Sequence, residues 1–236
     1  MKRRSKWTIA IISLIMLFSF TACGGSDDNQ DSEKKVDAAI PKETAVSAED
    51  WADKYAAMLE SGEARDYADY DAMKATLDEI REECGATYVY ALTPGTDGTP
   101  DINGEYKEGA SFLITVDGGD DPDDWAEDYG WEVQFTEAWE GEPAAARSAW
   151  DDSDELQCWS AFAPVYDSEG NVVCILGIDY PCTEVIADYP EWNRDADEWN
   201  GYEDEIDEEI PTEIQEIRTI TIELANMYAN VLSCNK

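Results

Sequence analysis

The stretch from Trp159 to Pro181 reads WSAFAPVYDSEGNVVCILGIDYP, and it limits the fold more than any other part of the chain. Two apolar runs flank Asp167-Ser168-Glu169-Gly170. A type I turn followed by a left-handed glycine closes a three-residue hairpin loop, so the runs are adjacent antiparallel strands. From Val172 to Ile178 the second strand carries no charge, although the chain holds 55 Asp and Glu. A strand apolar on both sides is covered on both sides, so the sheet needs a layer above and a layer below. If Asp167 pairs with Asn171, counting outward sets Trp159 opposite Asp179, Ala161 opposite Gly177 and Ala163 opposite Ile175. Alternation then puts these on one face. Phe162, Pro164, Val172, Cys174, Leu176 and Ile178 fall on the other, suited to a helix.

The rest of the chain supplies the layers. Trp51, Tyr55, Met58 and Leu59 recur at helical spacing after Ser47, a candidate cap. A second helix runs from about Tyr67 to Glu83, with Tyr70, Met73, Leu77 and Ile80 on one face and Gly85 as its stop. TYVYALTP and ASFLITVDGG read as strands, separated by the turn-rich PGTDGTPDING. Residues 120–154 are loop-rich and hold Trp125, Tyr129, Trp131, Phe135, Trp139 and Trp150, an aromatic load that must cover a sheet face. After an acidic segment, Pro211 opens a last helix with Ile214, Ile217, Leu224, Tyr228 and Val231 near helical period.

In this register an indole and a carboxylate face each other over a floor of Ala161 and Gly177. Small side chains leave room, the ring offers a cation–π surface, and the acid accepts hydrogen bonds and supplies charge. That set suits a ligand with a positive nitrogen, an amine or an amino acid. The plainer alternative is that Asp179 closes the turn before Pro181 and Trp159 is ordinary core.

The formal charge of -39 removes the basic footprint that nucleic acid needs and disfavours anionic lipid surfaces. With hydrophobic residues at 43% the chain still builds a core. No His is present, which excludes Ser-His and Cys-His nucleophiles and His-bearing zinc sites. No phosphate-binding or dinucleotide glycine pattern occurs. The expectation is a non-catalytic protein without a cofactor or metal. The acidic runs DGGDDPDDWAED and NRDADEWNGYED lack the glycine at the sixth place of a calcium loop, where the second has Glu198. Beyond Cys23 the five cysteines Cys84, Cys158, Cys174, Cys182 and Cys234 leave at least one thiol without an internal partner. Cys158 and Cys174 lie too far apart along the hairpin to bridge.

The N-terminus MKRRSKWTIAIISLIMLFSFTAC places four bases before an apolar run, Thr8 to Ala22, that is shorter than the ~20 residues of a spanning helix. It reads as a signal peptide over 1–22. Phe20-Thr21-Ala22-Cys23 resembles the lipobox of bacterial lipoproteins, and that resemblance implies cleavage before Cys23, acylation of its thiol and display on the outer face of the cell membrane. Residues 23–46 form a polar, acidic tether.

YDAMKATLDEIREECGATYVYALTP, SFLITVDGG and WSAFAPVYDSEGNVVCILGIDY together resemble the Cache (PAS-like) extracellular sensor domain of bacterial chemoreceptors and kinases, over roughly 67–187. The resemblance implies an α+β fold: a central antiparallel sheet, a long N-terminal helix on one face, a loop-rich insert over a small-molecule pocket on the other, and here an added C-terminal helix. The domain would span 47–187, followed by an acidic segment and helix over 188–236. By this resemblance Tyr88, Tyr90, Trp159 and Asp179 lie on pocket-lining strands. Trp125 and Trp131, in the insert, would close over the ligand. Gln157 stands where such domains often have Gly. Past residue 22 no apolar stretch is long enough to cross a bilayer, so the bound state would pass to a separate membrane receptor, kinase or transporter.

Overall fold

The computed structural model describes residues 47, 50–62, 64–95, 112–118, 132–153, 156–193 and 210–234, all within one compact unit, Ile40–Lys236. The signal segment, the tether, Cys23, Trp125, Trp131 and both calcium-like acidic runs lie at least largely outside the described residues.

Two helices open the fold. In α1 (Trp51–Ser61) the spacing of Trp51, Ala52, Tyr55 and Met58 buries one stripe. It ends at Gly62, whose φ of 69° only glycine adopts freely. Ser47 is not its cap. Its carbonyl accepts the Asp50 N–H in a preceding turn, and Asp50 holds the N-cap position. In α2 (Tyr70–Cys84) the expected face Tyr70, Met73, Leu77 and Ile80 is buried, and Gly85 terminates it in the left-handed region.

The sheet comprises β1 (Tyr88–Pro94), β2 (Phe112–Asp117), β3 (Ala144–Ala145), β4 (Trp150–Ser153), β5 (Leu156–Tyr166) and β6 (Val172–Pro181). Their order is β2-β1-β6-β5-β3, with β4 also on the outer edge of β5, and every strand pairing is antiparallel. Three more helices are α3 (Val133–Trp139), α4 (Thr183–Asp188) and α5 (Thr212–Leu232). The architecture is α+β. β6 lies inside the sheet, flanked by β1 and β5 and covered on both faces, which accounts for its uncharged run.

One face packs against α1, α2 and α5 through Val89, Ala91, Ala161, Ala163, Val165, Cys174, Leu176 and Ile178. The N-terminal part of this layer is two helices rather than one long one, and its longest member is α5. The other face carries Tyr90, Leu92, Phe112, Ile114, Phe162 and Ile175 under Phe135 and Ala138 of α3. Phe135 stands edge-on to both Phe112 and Phe162, with ring centroids 5.1 and 4.6 Å away. Part of the aromatic insert therefore covers this face, as its composition required. Among the described residues no helix is long and apolar enough to cross a membrane.

The hairpin turn forms as read: Gly170 has φ 88°, its N–H bonds to the Asp167 carbonyl, and the Asp167 N–H bonds to the Asn171 carbonyl. Tyr166 pairs with Val172 in the expected register, but Val165 pairs with Cys174. Val173 is thus an extra residue, a β-bulge. Beyond it every partner slips by one: Ser160 opposes Asp179, Phe162 opposes Gly177, and Trp159 opposes Tyr180. The expected pairs Trp159–Asp179, Ala161–Gly177 and Ala163–Ile175 do not form. A slip of one residue exchanges the faces of a whole strand. Phe162 and Pro164 consequently lie with Gly177 and Ile175, while Cys174, Leu176 and Ile178 keep the helix face.

Candidate functional site

The slip places Trp159 on the helix side. Its indole is fully buried with Ala146, Ala149, Ile186, Trp192, Ile214 and Ile217, and its N–H donates to the Ala146 carbonyl at 2.8 Å. No face of that ring is open to a cation, and its pairing with Asp179 as a binding couple is corrected: Trp159 is core. The expected gap is absent too. A Cβ on Gly177 would lie 2.5 Å from Cε2 of Tyr90, so the Tyr90 ring rests directly on the Gly177 backbone and fills that space.

Asp179 instead belongs to a different constellation. Tyr88 on β1, Asp179 on β6 and Ser160 on β5 form one row across three strands. The next row is Tyr90, Gly177 and Phe162. The Asp179 side chain is 1% exposed, and the Tyr90 hydroxyl donates to its Oδ1 at 3.2 Å. Trp150, on β4 at the outer edge of β5, donates its indole N–H to Ser160 Oγ at 2.8 Å. Its ring stacks on that of Tyr88, with centroids 6.5 Å apart and planes 22° from parallel. The strands that carry Tyr88 and Trp150 are three strand spacings apart, about 14 Å. The two rings therefore lean toward each other and meet above β6 and β5, an aromatic arch over the Asp179 and Ser160 row.

A carboxylate withdrawn from water costs several kcal/mol unless hydrogen bonds or an opposite charge compensate it. This chain does so on one side of the sheet. Among the described residues the buried side chains of formal charge are Asp179 and Glu132, both acids. Glu132 directly precedes α3, the helix over the same face, and the buried Gln134 and Thr136 sit on α3 itself. The arrangement presents negative charge, hydroxyls and aromatic faces to one another, the chemistry that holds an organic cation.

Of the sequence-derived set, Tyr88, Tyr90 and Asp179 meet in this cluster. Trp159 is turned away, and Trp125 and Trp131 lie outside the described residues. Trp150 and Ser160 were missed. Trp150 falls in the insert of the sequence reading, and Ala-Trp-Asp-Asp ahead of β5 lacks the apolar–polar alternation that would mark it as a strand. All five described thiols are free. The Cys158 thiol donates to Thr87 Oγ1 and the Cys182 thiol to the Gln157 carbonyl.

No protein-family model matches the chain, and no curated protein matches it. Among solved structures it is similar to the periplasmic domain of RsbU from Chlamydia trachomatis, at 10% identity and a TM-score of 0.34. The match covers 60% of this chain and 53% of that one, so the chain spans about half the length of that structure. A similarity of this size carries no weight for fold or role, which rest on the geometry above.

Proposed function

We propose that the chain is an extracytoplasmic lipoprotein, anchored through Cys23, whose Cache-like domain binds a small cationic or zwitterionic solute at Asp179. Binding proceeds without chemistry, and the bound state passes to a separate membrane receptor, kinase or transporter. The observation that carries the reading is the buried Asp179 carboxylate under the Tyr88–Trp150 arch, with the Tyr90 hydroxyl on its Oδ1. Tyr88 and Trp150 are only half-buried, so the arch is the accessible edge of the cluster. A charge-assisted hydrogen bond is worth about 1.5–3 kcal/mol, and a desolvated cation–π contact adds about 2 kcal/mol. Together these amount to about 3.5–5 kcal/mol, the scale of weak, roughly millimolar capture of an amine.

Isothermal titration of the protein with a panel of amino acids, polyamines and quaternary amines tests this. Saturable binding that falls on Asp179→Asn and on Tyr88→Ala is the expected result. Equal binding by wild type and both variants sinks the site.

A second reading is favoured by the Tyr90 ring seated on Gly177. It is a non-catalytic interaction or structural lipoprotein whose Cache-like fold has lost its ligand space, with an acidic coat that serves solubility, adhesion or calcium. A thermal-shift screen with metabolites and calcium separates the two, because a ligand raises the melting point in step with its concentration over its dissociation constant. Flat responses to every organic cation favour this second reading.

A further inference from the structure

The helix α5 has two apolar stripes. One, from Ile214 through Thr221, Ala225 and Tyr228 to Leu232, is buried. The other consists of Ile220, Leu224, Met227 and Val231, spaced four, three and four residues apart, the interval of a coiled-coil seam. Ile220 is 36%, Met227 48% and Val231 47% exposed, and Leu224 is half-buried. A helix with one face on a sheet is ordinarily polar on the rest.

The charge around this seam is as unusual as its hydropathy. From Thr219 to Lys236 the sole acid is Glu223, in a chain of net charge -39. The positions alongside are Thr219, Glu223, Asn226 and Asn230, and Asn230 Nδ2 bonds to the Asn226 carbonyl at 2.8 Å. From other elements, Asp50 and Asp53 act on Cys234, and Glu83 acts on Tyr228 of the buried stripe. A basic partner would be drawn to the acidic coat and would gain nothing from a neutral strip. A partner with the same heavy negative charge can approach only where that charge is missing, because like charges brought face to face cost several kcal/mol.

We infer that the Ile220–Leu224–Met227–Val231 seam is a self-association surface, on which α5 packs against the same seam of a second copy of this chain. The a/d spacing is self-complementary, as a twofold dimer requires. Four side chains offer far less than the ~800 Å² per partner of a standard interface, so the dimer is weak and its strength depends on salt. Screening relieves repulsion between the coats while leaving the apolar contact intact.

Sedimentation equilibrium of the full chain, without ligand, at rising protein concentration and at low and about 0.5 M salt, tests this. The expected result is a monomer–dimer equilibrium whose dimer share grows with salt. Met227→Glu with Val231→Glu weakens association at least about tenfold without lowering the melting temperature, since both side chains face solvent. Gln215→Glu, one charge added off the seam, leaves the dimer in place. A chain monomeric at every concentration and salt overturns the inference, and so does a dimer indifferent to the double substitution. Neither outcome bears on amine binding at Asp179.

Discussion

The two faces of the sheet are built from the same strands and solve opposite problems. Against the helices, β1, β5 and β6 present Val89, Ala91, Ala161, Ala163, Cys174, Leu176 and Ile178, side chains with little polar chemistry. The few polar groups on that side have partners: Trp51 Nε1 donates to the Met73 carbonyl, and the Tyr55 hydroxyl lies between Thr93 and Thr115. On the reverse, Tyr88, Tyr90, Ser160, Asp179 and, from α3, Gln134 and Thr136 replace hydrocarbon with groups that are costly to bury. One face maximises apolar burial and the other keeps a buried acid. The contrast teaches that an all-apolar core and a buried acid can sit back to back, one residue apart in the alternation of each strand.

The hardest test of that division is Trp159→Ala, which removes a fully buried indole and its bond to Ala146. A loss of about 3–5 kcal/mol is expected by urea denaturation. If the loss is small, the helix face is not where stability resides. Asp179→Asn should behave in the opposite way. Amine affinity drops about tenfold to a hundredfold, while the melting temperature changes little, because the amide keeps the side chain's shape and can still accept the Tyr90 hydroxyl. A fall in stability like that of Trp159→Ala would erase the distinction between the faces. Gly177→Ala probes where they meet: its Cβ collides with the Tyr90 ring, costing about 1–3 kcal/mol and displacing the hydroxyl from Asp179, so stability and binding decline together.

Proton linkage gives smaller, cleaner contrasts. Burial pushes the Cys182 thiol up to about 12, the nearby Cys158 adding to it, and burial alone raises Cys174, a helix-face residue. A folded-state value above the unfolded one means a contribution that is complete below about pH 9 and declines as pH climbs toward 12. The slope is about 1.4 kcal/mol per pH unit for each such group. Cys182→Ser should flatten this alkaline limb in pH-dependent denaturation. The faintest effect is acidic and lies at the hairpin tip. There the Ser168 N–H, bonded to Asp53, holds that carboxyl below its ordinary range. Its contribution is present above the unfolded value near 3.8 and fades as pH falls through the folded one. Asp53→Asn should remove only this small acid dependence.

Much of the architecture is written openly in the sequence. Gly62, Gly85 and Gly170 mark three chain reversals, and the apolar stripes of α1 and α2 are where the spacing puts them. The site is harder to read for one local reason. Ser-Ala-Phe-Ala-Pro-Val in β5 alternates so weakly between polar and apolar that either face can be turned inward. Register then has to be counted from the turn, and Val173 breaks the count without any glycine to announce it. The count from the turn set Trp159 across from Asp179, and the extra residue Val173 moved Ser160 into that place and carried Trp159 to the helix face. Val231, expected to face the core, points to solvent because α5 carries two stripes and periodicity alone does not rank them.

The hairpin tip is also where distant parts of the chain converge. Asp53 of α1 reaches Ser168, Cys234 donates its N–H to the Tyr166 carbonyl, and Ser233 Oγ accepts the Tyr166 N–H. With residue 234 close to Asp50 and Asp53, a short linker could join it to residue 50 and the chain could be reopened at Gly62, where nothing lies within 4 Å of an added Cβ. Such a circular permutant would make α1 the final helix and leave every strand neighbour in place.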